Sequence, residues 1–540
     1  MATSSSPPAR RGGLRAALES VFPFERFGDE RTILAGTGQS GVGMVVAILA
    51  TFGTQVLITR VLGAPAFGVV TLATQGALVL GFFSRVGMDM AAVRQVAIDM
   101  GRERPGRVRP IVARASVIAT VASLVVGGAV FAFAEPLARA FASGFDPRSD
   151  AVWAFRAAAA AIPGAALVQV YLGATRGLKV MRHTLYVFWV GQPLGWLALI
   201  VVGWLVARTV GITTLAYAAS WLAATAWAWW LWRRETRGFG EEAPAPSETG
   251  ELLRYGAPRA PAALFSQLLF WTDLFVLAQF AGRFGVTQTD VGIYAAAARA
   301  AQVILLFIIA TSLMFSPFVA DLHARGQREK LDRLFKQLTR WTMAATLPLF
   351  IVLAVTPGSA LRLFGDEFGA GQIALLILLL GQLVNVATGS VGFVLIMVGR
   401  TGWDLVVYAG SVALDIGVAV ALIPVLGMEG AAIAGALTMA VSKVARLALV
   451  WRFVRIQPFD RDYARLVVPG GAGLVAGLAA HLAVSGAGWP VDLLVTGAAA
   501  GLVYAVVLVA AGLPPVERRA LGRLVGALRG GTHPSADSGR

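Results

Sequence analysis

From Ile33 to Thr59 the chain runs without a single charged residue. A helix rises about 1.5 Å per residue, so this stretch exceeds the ~30 Å hydrocarbon core of a bilayer. Hydrocarbon offers backbone groups no hydrogen-bond partners, and a single apolar segment can satisfy its own only as a helix. The same pattern repeats to the end of the chain. Apolar runs bounded by charge, Gly or Pro predict further helices near 67–84, 110–133, 152–174, 184–207, 209–232, 257–281, 291–319, 338–356, 371–398, 402–424, 427–451, 464–484 and 489–513. The expected fold class is therefore an all-α membrane protein with about fourteen transmembrane helices. Only 14% of the residues are charged and 57% are hydrophobic, against roughly a quarter charged in soluble proteins.

The positive charge is distributed in a way that fixes an expected orientation. Thirty-five of the 46 Lys and Arg residues fall in the tails and alternate loops, six fall in the opposite loops, and Arg114, Arg156, Arg299, Lys443 and Arg446 lie within helices. The positive-inside rule then places both termini of a multi-pass membrane protein in the cytoplasm. Trp227, Trp229, Trp230 and Trp232 cluster where helix 6 reaches the inner interface, as an aromatic belt does. The net charge of +16 would also suit a nucleic-acid binder, but such a surface concentrates its charge on one soluble domain, whereas here short loops share it. No nucleic-acid partner is expected.

Several motifs dissolve on inspection. The segment "GTGQSG" (Gly36–Gly41) spells G-x-G-x-x-G, yet only Thr32–Ala35 precede it and no acidic residue occurs between Arg31 and Asp89. A dinucleotide site needs a strand before the turn and a carboxylate about 20 residues after it. Val42 stands where a P-loop would have Lys. There is no Cys, and the four His residues are scattered, so no metal-ligand spacing exists. No cofactor and no catalytic residue are expected. Asp460-Arg461-Asp462 spells a D-x-D, but its loop is too short to carry a transferase domain. The stretches "DLHARGQREKLDRLFKQLTRW" and "PPVERRALGRLVGALR" place apolar residues at helical spacing among Arg and Lys, as amphipathic helices on the inner leaflet do.

The chain also repeats itself. "AFGVVTLATQGALVL" entering helix 2 echoes "DVGIYAAAARAAQVIL" entering helix 8, which equates Gly68 with Gly292 and Gln75 with Arg299. "GITTLAYAASWLAA" likewise echoes "GMEGAAIAGALTMA". Two lobes of six helices follow (33–232 and 257–451). They flank a Pro- and Gly-rich cytoplasmic linker at 233–256, with helices 13 and 14 (452–513) appended and tails at 1–32 and 514–540. Six is even, so the lobes share an orientation. They should be related by a pseudo-twofold along the membrane normal, with a substrate site between them.

The order of "LITRVLGAPAFGVVTLATQ", "VGMDMAAVRQVA", "DVGIYAAAARAAQ", "SPFVADLHARGQREKLDRLFKQLTRW" and "LIPVLGMEGAAIAGAL" resembles the polysaccharide-transporter (Wzx-like oligosaccharide flippase) family. That family is part of the multidrug/oligosaccharidyl-lipid/polysaccharide exporter superfamily. The resemblance implies a two-lobed transporter that moves polyprenyl-diphosphate-linked oligosaccharides across the inner membrane by alternating access. Its partners would be the lipid-linked oligosaccharide with its anionic diphosphate head, membrane lipids and polysaccharide assembly proteins.

Charges inside a span are costly and usually face a cavity or a partner. Arg299, Asp273, Asp415 and Gln75 fall in nearly one layer, about 12 Å below the outer surface by helical rise. One reading makes them a polar belt lining the substrate cavity, with Arg299 attracting the diphosphate and Asp273 or Asp415 carrying a coupling proton or cation. The other makes Arg299 and Asp273 an ion pair that pins helices 7 and 8. Lys443 and Arg446 lie close enough to the inner end of helix 12 to snorkel. Asp89 and Arg94, near the inner end of helix 2, suit either a gate or a loop clasp. Competing functions are an ion-coupled multidrug or metabolite exporter of the same superfamily, a membrane polysaccharide polymerase or ligase, and a non-transporting scaffold.

Overall fold

The computed structural model describes residues 30–512 apart from 241, 243–246, 310, 313–318, 320, 321 and 324; for 30–45, 247, 248, 401 and 512 the backbone alone is described. Among the described residues the regular structure is entirely helical. The tail stretch from Pro514 lies outside them. The residues of "GTGQSG" are helical in backbone, inside a helix that begins at Glu30, and their side chains lie outside the described set.

The helices that matter for the site are α1 (Glu30–Ser84), α2 (Met88–Gly101), α3 (Val108–Ala132), α4 (Arg148–Gly177), α5 (Val210–Glu235), α6 (Ser247–Gly256), α7 (Ala260–Leu268), α8 (Thr272–Gln279), α9 (Gln288–Gln302), α10 (Arg328–Val355), α11 (Gln372–Ala387), α12 (Thr401–Val454), α13 (Val467–Val484) and α14 (Trp489–Val507). Ten helical segments are long and apolar enough to cross a membrane, or eleven with the bent pair Thr249–Leu268 and Thr272–Gln279. Two of them are double-length. α1 is broken at Gly63 (φ 79°, ψ 176°) and α12 at Gly427 (φ 59°, ψ −132°), dihedrals that only Gly adopts without strain. Past Gly427 the chain folds back so tightly that a Cβ on Gly430 would lie 2.7 Å from the Leu422 carbonyl.

The repeat shows itself at the seam between the halves. Gly68 and Gly292, equated by sequence, pack directly on one another: a Cβ on Gly68 would sit 3.0 Å from the Gly292 nitrogen, and one on Gly292 would sit 1.8 Å from the Ala64 carbonyl. Equivalent positions that touch must lie beside the symmetry axis. The halves meet on the face opposite the basic loops through these residues and through a clasp. The Ala64 N–H donates to Glu367 Oε1 (2.8 Å), and the Arg60 guanidinium donates to the carbonyls of Arg362 (2.6 Å) and Leu363 (3.0 Å). On the basic face the first half touches the linker helix that leads into the second half, where Gly87 meets Gly256, a Cβ on Gly87 falling 2.3 Å from the Gly256 carbonyl. The linker is not bare chain here. Its helix α6 lays Leu252 and Tyr255 into a cluster with Met88, Val96 and Val108.

One expectation changes. The apolar stripe Leu331, Leu334, Phe335 and Leu338 does not lie on a membrane surface. It opens α10, and Leu331 and Phe335 are fully buried against Val391, Val394, Val450 and Val454. The amphipathic period that fits a leaflet fits a protein groove equally well. In the D-x-D, Asp460 accepts from the Tyr463 N–H (2.7 Å), while Asp462 pairs with Arg340 (3.4 Å) and Arg465 (3.3 Å).

Candidate functional site: a bent helix and two buried acids

Helix α7 ends at Leu268, and the chain turns by 65° before α8 begins. The bend puts Asp273 in the first turn of a new helix, where free backbone N–H groups favour a carboxylate. Its Oδ1 accepts from the Leu274 N–H (2.7 Å) and its Oδ2 from the Tyr294 hydroxyl on α9 (2.6 Å). Gly435 on the second arm of α12 comes so close that a Cβ there would fall 2.2 Å from Asp273 Oδ2. The absence of a side chain at 435 is what lets α12 pass over the carboxylate. Beside Asp273 lies a void of ≈ 20 Å³ lined in part by Gln302, Gln382 and Gly435, room for about one water.

Asp415, on the first arm of α12, is near enough for the two carboxyl groups to interact electrostatically. It is 0% exposed, and neither of its oxygens has a hydrogen-bond partner; the Thr438 hydroxyl, also fully buried, has none either. A bare carboxylate in such a place is too costly to persist, so the site calls for a proton or a cation. The expected layer thus separates into two parts. Asp273 and Asp415 come together, with Tyr294 as a third member that the charge pattern did not reveal. Arg299 and Gln75 sit elsewhere.

No ion pair joins Arg299 to Asp273, so the helix-pinning pair is not formed. The Arg299 guanidinium stacks over Trp271 at the bend, 4.3 Å from the ring centroid, and feels the Tyr217 hydroxyl of the other half; its Nε is buried without a partner. Gln75 is buried and reaches Thr74 Oγ1 at 3.5 Å. Asp89 does not clasp Arg94. It pairs with Arg85 (3.3 Å), whereas Arg94 stacks on Tyr255 of the linker helix, 4.9 Å from its centroid. Five residues along a helix is half a turn out of register, so the two side chains diverge.

Arg446 overturns a sequence expectation. It does not snorkel: it is 1% exposed, donates from Nε to Asp404 Oδ1 (2.8 Å) and from Nη1 to Ser442 Oγ (2.7 Å), and stacks on Tyr408. Folding α12 back at Gly427 brings its two arms together and delivers Asp404 to it. On the belt, Trp227, Trp229 and Trp230 are exposed while Trp232 is buried, with Arg233 stacked on Trp229 and Arg234 on Trp230.

Stacked helical halves, a bent helix at the seam and acids buried beside it make up a fold that known membrane transporters share. The same architecture appears in the lipid II flippase MurJ in an inward closed conformation (TM-score 0.68, 13% identity, 87% of this chain and 97% of that one). It appears again in an inward-facing multidrug resistance MATE family transporter of the superfamily (TM-score 0.62, 13% identity, 76% and 94%). Residues 33–323 match the family described as "Polysaccharide biosynthesis protein", and the chain belongs to that family. A curated relative, the probable low-salt glycan biosynthesis flippase Agl15 of Haloferax volcanii, is 24% identical over 215 residues, 40% of this chain; the chain spans 44% of that relative's length. These relatives are transporters, not enzymes.

Proposed function

We propose that this protein flips polyprenyl-diphosphate-linked oligosaccharides across the bacterial inner membrane, for cell-surface polysaccharide synthesis, by alternating access between its halves. The observation that carries the reading is Arg299: a half-buried cation at the seam, stacked on Trp271 and not neutralised by an acid. A guanidinium in that setting attracts an anionic head group, and its stacked ring keeps the fork presented. The acids Asp273 and Asp415 then serve as the coupling site, loading a proton or a cation in one orientation and releasing it in the other. Gln75 occupies the matching place in the first half as a neutral partner of the cavity wall. Breaking both double-length helices and adding α5 to the eleven spans gives fourteen crossings, which returns both termini to the cytoplasmic side.

The test is transport by the purified protein in vesicles, using a fluorescent polyprenyl-diphosphate disaccharide. Arg299→Ala should cut the initial rate at least tenfold, and Arg299→Lys should retain part of it through its point charge. Faster export of a lipophilic cation by Arg299→Ala than by wild type, with no glycolipid movement by either, would instead support a multidrug exporter.

A further inference from the structure

On the basic face, where α1 ends and α4 ends, two arginines are folded into the first half with a single acid between them. Arg85 follows the last residue of α1 and Arg176 lies in the last turn of α4. Asp89, buried, pairs with Arg85 Nη1 at 3.3 Å and is close enough to Arg176 to attract it. Three buried nitrogens remain without a hydrogen-bond partner: Arg85 Nε, Arg176 Nε and Arg176 Nη2. Two guanidinium charges against one carboxylate leave about one surplus positive charge in a place that water reaches poorly, and each unpartnered N–H adds a desolvation cost.

The fold holds this arrangement closely. Gly173 lets α4 run against the start of α2, a Cβ there falling 2.5 Å from the Asp89 carbonyl, and Gly177 does the same against Val96 (2.7 Å). The cluster also sits beside the point where Gly87 meets Gly256, the contact that closes the basic face. Two further arginines flank that contact: Arg94 and Arg259 stack on Tyr255, 4.9 and 5.1 Å from its centroid. Separation of the halves at Gly87 would therefore open a mouth with two cations at its rim and two behind it.

We infer that Arg85 and Arg176 form a second anion site, separate from Arg299, that takes a diphosphate group at the basic-face mouth of the cleft. Planar forks with free N–H groups suit the paired oxygens of a phosphate. Asp89 holds Arg85 in place and limits the surplus to about one charge, so that the anion binds reversibly. The choice of diphosphate over other anions rests on the proposed function, in which the site would catch the lipid head group before it reaches Arg299.

The experiment uses the full-length protein in detergent, with inorganic pyrophosphate and farnesyl diphosphate as probes and chloride at matched ionic strength as control. Phenylglyoxal should modify Arg85 and Arg176, read by peptide mass spectrometry, and pyrophosphate should slow that modification at least threefold relative to chloride. In a binding titration Arg176→Gln should weaken pyrophosphate at least tenfold and Arg176→Lys by less. Equal protection by both probes marks a site for free or lipid-borne diphosphate; markedly better protection by farnesyl diphosphate marks the lipid head group as its ligand. Arginines that phenylglyoxal never reaches, equal protection by chloride, or undiminished binding by Arg176→Gln would overturn the inference. The labelling arm needs no variant to fold. Arginine-dependent binding in a protein that moves no glycolipid would leave this site standing and remove the proposed function, and glycolipid transport without such binding would do the reverse.

Discussion

The first arm of α12 buries two acids of the same kind, Asp404 and Asp415, and the two are treated in opposite ways. Asp404 on the first arm meets Arg446 on the second, 2.8 Å away, inside a shell completed by Ser442 and Tyr408. Asp415, three turns further along the same arm, makes no hydrogen bond; what faces it is a second acid, Asp273, with its backbone N–H. Burial is nearly equal, 5% exposed for Asp404 and 0% for Asp415. What differs is compensation. A closed pair such as Asp404–Arg446 specifies how two helix arms sit together, while an open pair such as Asp273–Asp415 keeps a stabilising term in reserve for a proton or cation. That reserve is what a transporter has to exchange with its surroundings.

The comparison predicts its largest effect at the closed pair. Asp404→Asn strands the Arg446 guanidinium in the interior and should cost about 3–5 kcal/mol, read as a clear fall in the melting temperature of purified protein. Replacing both residues with leucine should restore most of it, since a neutral apolar pair has no charge to strand. A melting temperature that does not move for Asp404→Asn would mean that Arg446 finds water, and the contrast between the pairs would collapse.

The middle effect belongs to the open pair. Asp415→Asn replaces a buried acid that makes no hydrogen bond with a neutral isostere of its protonated form, so stability should shift by no more than about 1 kcal/mol in either direction. Function should show the difference. If Asp415 carries the coupling ion, the wild-type protein's melting temperature responds to sodium or to pH and the variant's does not, and ion-driven transport is lost. A variant as unstable as Asp404→Asn would show that Asp415 is paired structurally after all.

Much of this was legible in the sequence, and the rest failed for geometric reasons. An acid inside an apolar run is visible at once, so Asp273 and Asp415 stood out by hydropathy alone. Azimuth was not legible. Helical rise expects Arg299 and Asp273 at one depth but says nothing of direction, and the bend after Leu268 turns Asp273 towards Tyr294 and Gly435, leaving Arg299 to Trp271. Tyr294 carried no charge signal, and only its place about one turn into "DVGIYAAA", facing the bend, marks it. Arg446 was misread because its distance from the helix end permits snorkelling. The overlooked signal is that Asp404 and Arg446 stand at similar distances on either side of Gly427, which a hairpin brings level. The repeat was the most informative feature, since equating Gly68 with Gly292 located the axis on which the halves touch.

The smallest effect is expected where solvent takes part, at Glu235, beyond the tryptophan belt. His183 Nε2 lies 2.9 Å and Arg182 Nη2 3.3 Å from Glu235 Oε1, and the hydrogen bond to His183, helped by that to Arg182, holds the carboxyl below its ordinary value. A depressed carboxyl stabilises the folded state at pH above the unfolded value of about 4.3 and loses that contribution as pH falls through the folded value. Because Glu235 keeps 24% of its side-chain exposure and Arg182 keeps 64%, screening limits the contribution to about 1 kcal/mol or less. Glu235→Gln should therefore lower the melting temperature slightly at pH 7, and the gap from wild type should close as the pH is taken below about 4. If this solvated pair proved as costly to break as Asp404–Arg446, burial would not be what makes a compensated pair costly to break in this protein. The open pair at the bend would then need another explanation.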